Sequence, residues 1–341
     1  MSRLTAQSPD SPFLLLSTIV RRIDQISPTY RRFTFTGPEV ERIADNGFDQ
    51  RVKVIFPTID GGLDDLALAD DWDPAWRELD NDRRNPMRTY TIREIRREER
   101  EFDIDIAIHG RLGPASTWAL DAAVGDELIM NVPNIARGTA AGGIDWHAPA
   151  EVGQVLLAGD ETALPAIAGI LERLADDARG IAIVEVPHAD DAAALGSRPD
   201  GVELIVLARG SDAVGTLLIP EVERVAAGIL AAQLAGVGVG GGAVRADGVL
   251  ASAPLSATLS APLSAEDALE DIDVDTQLLW EVPMDENGGP MLASAPLYAW
   301  LAGEASAIKT LRRHLVSTCG VDRKSVAFMG YWRAGKSEDN L

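Results

Sequence analysis

Apolar and polar positions follow two different patterns along this chain, and the texture changes near residue 150. Before that point, short runs rich in β-branched and aromatic residues recur at 14–20, 31–36, 52–56, 89–95, 102–109 and 127–132, bounded by Pro, Gly and Asp clusters. Within 102–108, apolar residues alternate with small or polar ones, as a strand with one wet face requires. Strands at such regular spacing predict an antiparallel sandwich or barrel. Beyond residue 150, continuous apolar runs at 155–159, 181–186, 202–207 and 325–329 alternate with helical patterns at 162–177 and 304–316. Strands without a polar face are covered on both sides, so this half predicts a parallel α/β sheet. A Gly- and Ala-rich break at 140–150 separates the domains, over 12–145 and 150–336.

Residues 228–275 fit neither pattern. They contain no aromatic residue, hold the near-repeat Ser252-Ala-Pro-Leu-Ser-Ala and Ser260-Ala-Pro-Leu-Ser-Ala, and end in an acidic run. This composition predicts a low-complexity surface insertion.

Length and charge narrow the function. At 341 residues the chain is long enough for two domains with a core each. A formal net charge of −22 argues against nucleic-acid binding and against adsorption to anionic membranes. No apolar run approaches the ~18 residues of a membrane-spanning helix. The first residues lack the apolar core of a secretory signal, so a cytoplasmic location is expected. The single cysteine, Cys319, excludes an intrachain disulfide and a cluster held by four local thiolates. The segment 303–336 runs against the overall charge, with seven basic residues and two acids, which makes it a candidate anion site.

Three Gly-containing junctions could carry chemistry. Gly159-Asp160-Glu161-Thr162 and Gly303-Glu304-Ala305-Ser306 each join an apolar strand to a helix, where an open parallel sheet seats nucleotide phosphates. In His109-Gly110-Arg111-Leu112-Gly113-Pro114-Ala115-Ser116, a strand turns through two glycines into a short helix whose exposed N–H groups could hold a pyrophosphate. Each also reads as an ordinary turn. Upstream, Arg88, Tyr90 and Thr91 set an aromatic ring beside a cation and a hydroxyl, suited to a planar cofactor or simply to an exposed strand. The four histidines show no metal-ligand spacing, and neither a Gly-x-Ser-x-Gly elbow nor a P-loop is present.

Together, Arg88-x-Tyr90-Thr91-x-Arg93, Asp105-x-x-x-His109-Gly110-x-x-Gly113-Pro114-Ala115-Ser116-x-Trp118, Gly159-Asp160-Glu161-Thr162, Tyr298 to Ser306 and Gly330-Tyr331-Trp332-Arg333 resemble the siderophore-interacting protein family, over roughly 12–228 and 278–336. The resemblance implies a six-stranded antiparallel FAD-binding β-barrel followed by an α/β nucleotide-binding-like domain. It further implies FAD-dependent reduction of a ferric siderophore. Carried over by motif, Arg88, Tyr90 and Thr91 would hold the flavin and its phosphate, and Asp105 and His109 would line the cofactor. Gly110, Gly113, Pro114, Ala115 and Ser116 would cradle the pyrophosphate, with Thr162 and Trp332 approaching from the second domain. Lys53, Arg111, Arg137 and Lys309 are the basic candidates for an anionic siderophore.

NADH, NADPH or a ferredoxin could supply the electrons. Asp190 and Asp191, after the strand at 181–186, would suit a free ribose hydroxyl and so favour NADH. An acidic ferredoxin is a poor electrostatic match for so acidic a chain. Two alternatives remain open at this point: a flavin or ferredoxin reductase with no siderophore specificity, and a siderophore-binding protein that has lost the flavin.

Overall fold

In the computed structural model, which describes residues 8, 10–58, 62–63, 72–81, 83–234, 273–274 and 277–335, the two textures become two packed units. The first is a closed barrel of β1 (Phe13–Gln25), β2 (Tyr30–Thr36), β3 (Arg51–Ile55), β4 (Met87–Arg96), β5 (Glu101–Ala107) and β6 (Glu127–Pro133). Its strands run in the order β1-β2-β5-β4-β3-β6, with antiparallel neighbours throughout. Alternation explains the closure. Leu14, Leu16, Phe33, Phe35, Val52, Val54, Phe102, Ile104, Leu128 and Met130 fill the interior, and a closed sheet leaves no unpaired edge. Helix α1 (Trp72–Glu78), which periodicity did not reveal, lies outside the barrel with Trp72 and Trp76 over Leu15, Ile55 and Ile129. Helix α2 (Pro114–Asp121) packs against the core through Trp118, whose ring centroid lies 5.2 Å from that of Phe33 and 5.6 Å from that of Phe56. Strand β5 stops at Ala107, short of the expected 109, because the chain turns there and the His109 N–H donates to the Ser116 hydroxyl.

The second unit is a sheet ordered β10-β12-β11-β7-β8-β9. It is built from β7 (Glu151–Asp160), β8 (Gly180–Val186), β9 (Val202–Ala208), β10 (Trp280–Glu281), β11 (Ser294–Glu304) and β12 (Val326–Trp332). The sheet is mixed rather than wholly parallel: two-residue β10 pairs antiparallel with β12, and the other pairings are parallel. Helix α3 (Leu164–Leu171) covers the face toward the barrel and is buried at all eight positions. It stops well before the expected 177, where Glu172 and Arg173 turn to pair with Arg93 and Asp45 of the barrel. Helices α4 (Leu218–Leu234) and α5 (Ala305–Arg313) cover the opposite face. Helix α4 corrects the boundary of the insertion: Ala-rich composition hid an amphipathic stripe in which Val222, Val225, Ala226 and Ile229 are buried. The remainder of the expected insertion lies outside the described residues except at 273–274.

Buried carboxylates join the two units. Asp49 accepts from the backbone N–H of Asp145 and Trp146 and, at 3.1 Å, from the indole of Trp300. Burial beside Asp145 pushes Asp49 up to about 7. Asp191 accepts from the hydroxyls of Ser27 and Thr29 at 2.6 and 2.7 Å and from the Thr29 N–H. Arg93 reaches from β4 to the Pro165 carbonyl and the Glu172 carboxylate. Broken singly, such pairs strand a desolvated group, so they hold the two units in one mutual orientation.

Candidate functional site

The barrel contributes one wall. On β4, Arg88 and Tyr90 are half-buried on the same side of the strand, and the Tyr90 ring meets Phe56 edge-on at 6.4 Å. Thr91 faces the other way, is buried, and pairs across the ladder with Arg51. After β5 the chain turns through Gly110 (φ +69°) and Gly113 (φ +150°), conformations that favour glycine. A Cβ at either would meet nothing within 4 Å, so the turn opens onto free space. Pro114 starts α2, Gly113 offers no side-chain cap, and the first turn carries no acid. The Ser116 hydroxyl braces the turn by accepting from the His109 N–H. This leaves an open, uncapped, electropositive helix start.

The second domain supplies the facing wall, organised by Asp160 at the end of β7. Its Oδ1 accepts from the Thr162 N–H at 2.9 Å and the Thr162 hydroxyl at 2.5 Å, and its Oδ2 accepts from the Trp332 indole at 2.8 Å and the Glu304 N–H at 2.7 Å. Position 303 must be glycine here, because a Cβ would sit 2.6 Å from that oxygen. Complete burial, reinforced by the neighbouring Glu161 charge, pushes Asp160 up to about 6 despite its four donors. Glu161 is locked by Arg209 through two 2.6 Å bonds, and its carbonyl accepts from the Tyr30 hydroxyl. His109 Nδ1 lies 3.6 Å from Glu161 Oε1, so the barrel turn meets the second domain at this point. Burial lowers the His109 pKa, with Glu161 opposing the shift.

Thus Thr162 and Trp332, far apart in sequence, converge on one carboxylate, and His109 joins them through Glu161. Asp105 does not belong to this group. It is 1% exposed, gripped by Arg32 at 2.7 and 2.8 Å and lying 3.5 Å from Arg93, on the barrel's outer side at the seam. The expected ribose role of Asp191 also fails, because its carboxylate is consumed by Ser27, Thr29 and the His188 N–H; only Asp190 is exposed.

The two strand–helix junctions expected to seat phosphate are occupied by the chain itself. Glu304 Oε2 accepts from the N–H groups of Ser306 and Ala307 at the start of α5, and the start of α3, which has no capping side chain, is buried behind Thr162, whose N–H Asp160 takes. Glu185 and Arg209 were not singled out from the sequence, and Asp160 and Glu161 entered only within the Gly159–Thr162 motif, with no role of their own. The available signal was an acid directly after the strand's glycine, which in Gly303-Glu304 is the signature of an N-cap and in Gly159-Asp160 marks the turn ahead of α3.

The basic candidates lie on separate elements. Lys53 is on the outer face of β3, beside a cavity of about 320 Å³ that Trp72, Phe13 and Asn131 also line. The buried Asn131 Oδ1 has no hydrogen-bond partner there. Arg111 is exposed and spent on Asp121 through two 2.6 Å bonds. Arg137 is exposed after β6, and Lys309 is half-buried on α5. Within the basic C-terminal segment, Arg312 and Arg323 both bind the single carboxylate of Glu281. Among the described residues, no group of three His, Cys, Asp or Glu side chains could hold a metal, and no helix is long and apolar enough to cross a membrane.

Comparison with known proteins matches residues 19–137 to the siderophore-interacting FAD-binding domain and residues 152–335 to the siderophore-interacting protein family. The crystal structure of the siderophore-interacting protein SipS from Aeromonas hydrophila superposes with a TM-score of 0.59 at 28% identity, covering 96% of this chain and 95% of that one. Ferric vibriobactin reductase ViuB of Vibrio cholerae is 28% identical over 200 residues, 58% of this chain and 68% of that protein. The NADPH-dependent ferric-chelate reductase of Escherichia coli is 31% identical over 157 residues, 46% of this chain and 55% of that protein.

Proposed function

The chain belongs to the siderophore-interacting protein family, a flavin oxidoreductase family, and on that premise we propose that it reduces the Fe(III) of a ferric siderophore to Fe(II), taking electrons from NAD(P)H through non-covalently bound FAD. One observation carries the reading. The start of α2, which has no capping side chain and opens onto free space at Gly110 and Gly113, lies in the barrel whose β4 carries Arg88 and Tyr90, while Thr162 and Trp332 are held together opposite it. These groups suit an isoalloxazine ring that carries a diphosphate.

FAD, when bound, accepts an electron pair and releases electrons singly, as Fe(III) requires. Tyr90 would pack on the ring, Arg88 would neutralise phosphate charge, and Thr91 would offer its hydroxyl to the ring edge. Gly110, Gly113, Pro114, Ala115 and Ser116 would let the diphosphate approach the N–H groups of α2. Asp160 would keep the Trp332 indole and the Thr162 hydroxyl in place and exclude water from that side. His109, lowered by burial, would be neutral near pH 7 and available to donate or accept at the cofactor's edge. Asp105 enters only as the residue that fixes Arg32 and Arg93.

The siderophore would hold iron through its own donors, so the protein needs cations rather than metal ligands. Lys53 lines a cavity that it shares with Asn131 and Asp73. Arg137 and Lys309 are secondary, and Arg111 would first have to leave Asp121. NADH should serve at least as well as NADPH, because a 2′-phosphate near Asp190 gains no cation; a ferredoxin is the alternative donor. Such a reaction suits the cytoplasm, where reduced nicotinamide is abundant.

The test is an anaerobic absorbance titration of the purified protein. A yellow protein bleached by NADH and recoloured by a ferric siderophore is the expected result. A yellow protein indifferent to NADH would transfer the donor role to ferredoxin, and failure to take up FAD would leave the fold without the activity.

A further inference from the structure

At the carboxyl edge of an open parallel sheet, a dinucleotide's diphosphate ordinarily rests on free N–H groups at helix starts. In this sheet the chain's own carboxylates hold those groups at two helices, and burial closes the third. Asp160 Oδ1 accepts from the N–H and hydroxyl of Thr162 just ahead of α3, whose own start carries no capping side chain but is buried from Ala163 to Ala166 and has Pro165, which lacks an N–H, in its first turn. At α4, Glu185 from the end of β8 accepts from the N–H groups of Gly215, Leu217 and Leu218 at 2.6, 2.8 and 3.0 Å. At α5, Glu304 accepts from Ser306 and Ala307 at 2.8 and 2.9 Å. The three carboxylates are 0%, 0% and 7% exposed, so they are part of the interior and not mobile surface groups.

Arg209 at this edge is committed as well. Arg209, just beyond β9, has an 8% exposed side chain fixed bidentately on Glu161, which is itself buried. Asp191, after β8, is turned into the seam. A diphosphate brought here would find the donors at the starts of α4 and α5 taken and the two unpartnered guanidinium nitrogens of Arg333, just beyond β12, shielded from solvent, and would face buried acceptors of its own sign.

We propose that Asp160, Glu185 and Glu304 determine donor specificity by excluding a dinucleotide's diphosphate from the sheet edge, so that the electron donor is recognised through its dihydronicotinamide ring and the adjoining ribose alone. The proposal rests on the reading of NAD(P)H as donor and gives it a narrower substrate class: any small dihydronicotinamide, with the adenylate half adding no affinity. It also sets the second domain apart from the barrel, whose α2 start remains open to a diphosphate.

Two measurements on the wild-type protein test it. Anaerobic stopped-flow compares flavin reduction by NADH with that by reduced nicotinamide mononucleotide, which lacks the adenylate. Calorimetry titrates ADP-ribose, and separately its 2′-phosphorylated form, into the same protein. The second-order rate constants should agree within about threefold, and neither ADP-ribose should bind at millimolar concentration. A rate advantage for NADH above about tenfold, or binding of either ADP-ribose, overturns the proposal. If the protein is yellow but neither nicotinamide reduces it, the donor reading fails; the calorimetry, which needs no turnover, still decides whether the edge excludes the diphosphate. The same titration on a colourless protein decides it independently of flavin.

Discussion

The start of α2 in the barrel and the starts of α3, α4 and α5 in the second domain look alike in sequence and differ in what fills them. Gly110 to Pro114 leads into a helix with no capping side chain and no acid in its first turn. Gly303 leads into a helix whose N–H groups are taken by Glu304, Glu185 reaches from a neighbouring strand to do the same for α4, and the start of α3 after Gly159 is closed by burial, with Asp160 holding Thr162 ahead of it. A helix start is an anion site only while its donors are unclaimed, and an acid one residue past the glycine claims them. The same fold element therefore prepares a phosphate seat in one domain and removes it in the other.

The comparison can be broken first at α2. Ser116→Asp places a carboxylate in its first turn, as Glu304 does for α5, and should weaken FAD binding by on the order of a hundredfold while leaving the helix intact. Ser116→Ala should change it far less; fluorescence titration of FAD into apoprotein measures both. Tyr90→Ala keeps the helix start open and removes the packing surface, and a loss of about tenfold to a hundredfold in FAD affinity is expected in the same titration.

Breaking the second domain's side should register in stability. Glu185→Ala strands three N–H groups at the head of α4 and should cost about 2 kcal/mol in urea unfolding. Asp160 supplies an effect of similar size, readable through pH. Its folded value of about 6 lies above that of an unfolded carboxylate, so the native state binds the proton more tightly. Its contribution is favourable below about pH 4 and is lost as pH rises through about 6. Asp160→Asn should therefore remove a decline on the order of 2 kcal/mol between those limits, seen as a flatter plot of unfolding free energy against pH. An unchanged slope would mean that the buried carboxylate is not the titrating group.

Much of the architecture was legible because periodicity reports burial directly. All six barrel strands and β7, β8, β9 and β12 of the second sheet lie where alternation or continuity put them, with ends displaced by a few residues, while β11 was legible only at its end, as the junction at Gly303. What escaped had a physical disguise. Helix α4 shares its Ala-rich composition with the insertion, and its stripe shows only when read at helical period. Strand β10 is two residues long, too short to carry any period. In the candidate site, the side chains adjoining α2 were legible as a motif. Asp105 looked equivalent to them, yet odd positions on β5 face away from the barrel core, toward Arg32 and Arg93.

The sequence by itself determined the two textures, the open turn before α2 and the charge balance, because each depends on residues that are neighbours along the chain. Only the tertiary structure decided which carboxylates are free. Asp191 meets Ser27 across 164 residues, Trp332 meets Asp160 across 172, and Glu185 meets the head of α4 some 30 residues on. A carboxylate's role is set by the donors that reach it. Those donors arrive from strands that adjoin only after the sheet forms and the barrel docks against α3, where low dielectric makes each unpaired group costly enough to enforce the match.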